Sequence, residues 1–172
     1  MIGIEAESYE HKSEQRNSII GWIKFILILI GLFLIFRFAI GITVINGQSM
    51  SPTFSNNNVI MTTNLFYTPE KGDIILYRDE NGFNVIKRVI AAENDHVEIK
   101  DGVTKVNGEP LQEDYKTGVS QDMSKVVVDK NSYFVLGDNR TPGESLDSRS
   151  ESVGTIAKVD IKGKYLFKLY PF

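Results

Sequence analysis

The chain has 172 residues, 22 acidic against 19 basic, two histidines and no cysteine. A net charge of −3 supplies no basic excess for a nucleic-acid partner. The missing cysteine excludes disulfides, thiolate nucleophiles and thiolate metal ligands. His11 and His96 are far apart among scattered carboxylates, so neither a metal site nor another cofactor is expected.

Residues 1–18 are polar, carry four glutamates and read as a disordered tail. An apolar run follows, "IIGWIKFILILIGLFLIFRFAIGITVI". Residues 19–38 amount to about 30 Å of helix, the thickness of a bilayer's hydrocarbon. Lys24 and Arg37 flank the uncharged centre and can snorkel outward, and Trp22 suits an interface. A cleavable signal peptide would have a shorter core and a small-residue cleavage site, which this run lacks. A retained transmembrane anchor over residues 19–40 is therefore expected. Lys12, Arg16 and Lys24 precede or open the span, and Arg37 alone closes it, which places the N-terminus in the cytoplasm and residues 41–172 outside.

Beyond the anchor comes "NGQSMSPTF", residues 46–54, with Ser49 and Ser51. An extended run from Thr43 would put Ile45, Gly47 and Ser49 on one face, with Pro52 ending regular pairing. Short alternating segments follow at residues 59–63, 74–77, 85–91, 126–128 and 133–136. Asn81-Gly82, Asp101-Gly102 and Asn107-Gly108 are turn signals, and "HVEIKDGVTKVNGEPL" reads as a hairpin folded at Asp101-Gly102. The closing "VGTIAKVDIKGKYLFKLYPF" alternates strongly, with a turn expected at Lys162-Gly163. The fold class is mainly β: one N-terminal transmembrane helix, then a compact antiparallel β-rich domain.

A serine needs a base to become a nucleophile. His11 belongs to the tail, and His96 opens a hairpin strand where a surface role is favoured. A lysine can serve if it is neutral. Exposed, only about one lysine in a thousand is neutral near pH 7, but burial among apolar side chains lowers its pKa. Lys87, in "NVIKRVIAA", has that setting and would share a face with Val85 and Val89, with Arg88 pointing the other way. Taken singly, Ser49 reads as a turn serine and Lys87 as a solvent-face lysine. The flanking motifs change both readings together.

"GQSMSPTF", "KGDIILYR", "VIKRVIA", "VNGEPL" and "GDNRTPGESLDSR", in that order, resemble the boxes of bacterial type I signal peptidases, membrane-anchored serine proteases with a Ser-Lys dyad. The resemblance covers most of the chain. It implies a signal-peptidase-type catalytic domain, with Ser49 as nucleophile, Lys87 as general base and Arg88 as its structural neighbour. It further implies that Ser145 orients the lysine amine, and that Asp147 pairs with Arg149, with Arg88 as a second partner. Four residues, 141–144, separate Arg140 from Ser145 where the family has two, so Pro142-Gly143 reads as a turn insertion. Some relatives carry a hydroxyl where this chain has Gly47. The oxyanion must then rest on backbone N–H groups, Ser49's among them. Ile45, Met50, Phe54, Val85 and Ile86 flank the dyad and are expected to form shallow apolar substrate pockets.

The function so implied is removal of signal peptides from exported preproteins at the membrane surface. The substrate would lie as an added strand, and Phe54 or the segment Leu65, Phe66 and Tyr67 would either meet lipid or fill the core. Three rivals stand beside this reading. A self-cleaving Ser-Lys repressor-type protease would be soluble and carry a DNA-binding half. A signal-peptidase-like accessory factor would serve pilus or surface-protein assembly. A plain membrane-tethered binding domain would leave Ser49, Lys87 and the box at residues 137–149 without explanation.

Overall fold

A computed structural model describes residues 2–65 and 67–170, with side chains from residue 18 onward. Phe66, one of the residues considered for lipid contact, lies outside the described residues.

One helix, α1, spans Ile2–Ala39. Its apolar stretch Ser18–Ala39 is 22 residues long, and apart from Gly31 and Ala39 its residues are exposed. At 1.5 Å per residue that is about 33 Å, long and apolar enough to cross a bilayer. The polar tail, expected to be disordered, is helical from Ile2. Glutamate, lysine and alanine are good helix formers, and a nucleated helix adds residues at little cost.

The remaining compact unit runs Ile40–Phe172 and is built from antiparallel strands. Seven of them form one sheet in the order β1 (Ile40–Val44), β2 (Val59–Thr63), β11 (Ile161–Tyr170), β3 (Ile74–Arg78), β4 (Asn84–Ala92), β9 (Ser132–Leu136) and β10 (Ile156–Ala157). A second sheet orders β7 (Glu109–Pro110), β6 (Val103–Val106), β5 (His96–Lys100) and β8 (Met123–Val127). The hairpin folds at Asp101-Gly102 as its sequence predicts, with Lys100 opposite Val103.

The large sheet is covered on both faces at its centre. Alternation in β3 sends Ile74 and Leu76 to one side, where they pack with Ile45, Met50, Phe54, Ile60 and Ile86. It sends Ile75 and Tyr77 to the other, with Val89, Tyr133, Val135 and Ile156. A third cluster, Ile90, Ala91, Val97, Val128, Phe134 and Leu136, joins the two sheets. At the β1 end one face is bare. Ile42 pairs with Met61 and Met61 with Phe167; Val44 pairs with Val59 and Val59 with Tyr170. Ile42, Val44, Phe167 and Tyr170 are all exposed.

The turn expected at Lys162-Gly163 is absent: both lie within β11. Gly163 is buried, and a Cβ there would sit 3.1 Å from the Thr63 carbonyl, so it serves close strand approach. The 3₁₀ turn Lys158–Asp160 instead precedes β11 and carries the chain across the sheet from β10.

Candidate active site

Strand β1 ends at Val44, so Ser49 stands on a turn rather than on the extended run expected from Thr43. Gly47, at φ 109°, adopts a conformation that side chains resist. Hydrogen bonds from Ser51 N–H to the Gln48 carbonyl and from Phe54 N–H to the Met50 carbonyl close the turn. Met50 and Phe54 pin it into the core, at 1% and 2% exposure.

Lys87 occupies the middle of β4, opposite Ile75 of β3 and on the side of the sheet that carries Val89. It is 3% exposed. Its Nζ donates to Ser49 Oγ at 2.9 Å and to the Ile86 carbonyl at 3.1 Å. Burial pushes its pKa down from 10.5 to about 8, with Asp147 opposing and Arg149 assisting. A lysine near that value is largely free to take a proton at mildly alkaline pH.

The box at residues 137–149 encloses this pair. Burial alone would raise the Asp147 carboxyl, but the bidentate Arg149 guanidinium and the Gly137 N–H hold it below the usual range. Ser145 donates to Asp147 at 2.7 Å, and its hydroxyl makes no hydrogen bond to the lysine amine. Arg88 does not reach Asp147. Strand alternation turns it to the opposite face, where Asp138 receives it in two bonds of 2.8 and 2.6 Å. Thr53 donates to the same carboxylate at 2.5 Å, and Tyr115 stacks under the guanidinium at 3.9 Å. The strand of Lys87 and the turn of Ser49 are thus tied to one buried side chain. The fully buried Arg140 pairs with Glu113.

Asp138, Asn139 and Arg140 stood in the quoted box without roles. Their partners Thr53, Gln48 and Glu113 come from distant segments, which no local pattern can show.

A cavity of about 660 Å³ opens over the dyad. Of the five apolar residues expected to line substrate pockets, only Val85 faces it. Ile45, Met50, Phe54 and Ile86 lie in the core on the opposite side of the sheet. The walls include Tyr77, Val153 and Ile156, with Glu144 and Leu146 supplied from the segment that follows Arg140. No cluster suited to a metal ion occurs among the described residues.

A family model described as signal peptidase, peptidase S26, matches residues 19–170. The chain is 33% identical to signal peptidase I S of Bacillus subtilis (strain 168), with 92% of each chain covered. It is 35% identical to signal peptidase I P of Bacillus subtilis subsp. natto, also with 92% of each covered. Against signal peptidase IB of Staphylococcus aureus (strain COL) the identity is 31%, over 91% of this chain and 92% of that one. The crystal structure of a signal peptidase I from Enterococcus faecalis V583 is similar at a TM-score of 0.51 and 30% identity. It covers 59% of this chain and 99% of that one.

Proposed function

The chain belongs to the signal peptidase, peptidase S26, family, and from that premise we propose that it cleaves signal peptides from exported preproteins with Ser49 as nucleophile and Lys87 as general base. The observation that carries the dyad is the 2.9 Å contact between the Lys87 amine and Ser49 Oγ, inside a cavity wall that leaves the lysine 3% exposed. Neutral Lys87 takes the Ser49 proton as Oγ bonds to the scissile carbonyl carbon. The oxyanion so formed meets the Ser49 backbone N–H, which donates to no acceptor among the described residues. The ammonium of Lys87 then gives its proton to the departing amine, leaving an ester on Ser49. A water molecule, deprotonated by the same lysine, hydrolyses that ester and restores both groups.

The helix α1 serves as the anchor, with its N-terminus in the cytoplasm and the β-rich unit outside. The bare face of β1, β2 and β11 rests on the lipid, where membrane-held substrates arrive at raised effective concentration.

The test is cleavage of a preprotein by the purified protein, with N-terminal sequencing of the product. Ser49→Ala and Lys87→Met should each abolish turnover while circular dichroism stays unchanged. Below about pH 8 the wild-type kcat/KM should fall close to tenfold per pH unit, because protonated Lys87 cannot accept a proton. Near-normal turnover in either variant, or a flat profile from pH 6 to 9, overturns the dyad.

A further inference from the structure

The proposed oxyanion donor sits on a turn that must be held still. Asn139 grips that turn at two successive carbonyls. Its backbone N–H donates to the Ser49 carbonyl at 3.0 Å and its side-chain Nδ2 to the Gln48 carbonyl at 3.2 Å. Oδ1 of the same amide accepts from Thr141 N–H at 3.2 Å, which fixes which end of the amide faces Gln48. The residue is 8% exposed and rests on a rigid shelf. Thr117 N–H donates to the Asp138 carbonyl and Arg140 N–H to the Thr117 carbonyl, while the flanking Asp138 and Arg140 side chains are each buried and ion-paired.

A peptide plane carries its carbonyl and the next N–H on opposite edges. Holding the Gln48 carbonyl therefore fixes the direction of the Ser49 N–H. Holding the Ser49 carbonyl fixes the other side of the same residue. We infer that Asn139 is a positioning residue for the oxyanion donor: by restraining both carbonyls around Ser49 it keeps that N–H aimed at the reacting carbonyl oxygen. The inference rests on the reading of Ser49 as nucleophile.

Two substitutions separate this role from loop building. Asn139→Asp keeps the Oδ1 contact to Thr141 but replaces the donor with an oxygen that repels the Gln48 carbonyl. Asn139→Ala removes both contacts. Each should lower kcat by about 10- to 100-fold, short of the 10²–10³ lost when an oxyanion donor is removed outright. KM should stay within about twofold, and the pH midpoint set by Lys87 should not move. A peptide aldehyde ending in Ala-x-Ala, whose hemiacetal oxygen occupies the oxyanion position, should bind more weakly in proportion to the loss in kcat.

Wild-type kcat in Asn139→Asp, or a raised KM with kcat and aldehyde affinity intact, overturns the inference. Asn139→Asp is isosteric, so it remains informative if Asn139→Ala unfolds. Ser49→Ala is assayed alongside. If it retains turnover, the dyad reading itself has failed; if it is dead while Asn139→Asp is normal, only the role of Asn139 has.

Discussion

At the scale of single residues, the site is a matter of close approach. A Cβ on Gly137 would overlap both the Ser49 carbonyl and Ser145 Oγ. Gly137→Ala must therefore push the Ser49 turn away from Lys87 or displace the serine bound to Asp147. We expect kcat/KM for a preprotein to drop by about 10²–10³, as for loss of an oxyanion contact, with the melting temperature lowered only modestly. Ser49 and Lys87 stand out in the sequence only together, through the motifs around them, and the structure brings their side chains to 2.9 Å. Gly137 and Asn139 do not stand out, because their importance comes from what lies against them, and nothing in their own neighbourhoods names Ser49. Of the residues expected to line substrate pockets, Val85 faces the cavity and the other four pack in the core, for a related reason. Nearness in sequence to Ser49 and Lys87 does not decide which face of the sheet a side chain reaches, and Ile86 packs on the face opposite Lys87.

At the scale of elements, β4 contains a conflict between stability and function. Lys87 has a folded-state pKa near 8 and an unfolded one near 10.5. Between those values the unfolded chain binds the extra proton, so stability should rise as pH climbs from about 8 to 10.5. Below pH 8 the full cost is present. Lys87→Met removes it, and should stabilise the protein by up to about 3 kcal/mol at pH 7, with the gain gone by about pH 10.5. Denaturant unfolding of the two proteins across that range checks both the size and the pH trend. Strand positions were largely readable from alternation and from Asx-Gly turns such as Asp101-Gly102. The exception, Gly163, shows the limit of a turn signal. A glycine also marks the place where two backbones come together, and only the pairing of β11 with β2 distinguishes the cases.

At the scale of the whole molecule, the bare apolar face and the apolar helix ask for the same environment. If the face of β1, β2 and β11 rests on lipid, replacing Ile42, Phe167 and Tyr170 by serine should slow cleavage of a preprotein embedded in vesicles by about tenfold or more, each 1.4 kcal/mol of lost contact being a decade. Cleavage of a short soluble peptide should be unchanged. The sequence displayed the helix plainly, since a twenty-residue run with only Lys24 and Arg37 charged needs no partner to be noticed. It hid the face, because a half-exposed strand and a half-buried one alternate alike. The dryness around Lys87 has one more consequence, visible only when all the lysines are compared. At pH 7 its amine is neutral about two orders of magnitude more often than that of an ordinary surface lysine. A neutral amine is a nucleophile in its own right. A small acylating or carbamoylating reagent that fits the 660 Å³ cavity should therefore mark Lys87 ahead of the exposed lysines, with peptide mass mapping as the readout. Lys87 would then be a covalent handle, through which the protein is silenced or tagged by a reagent that does not resemble a substrate at all.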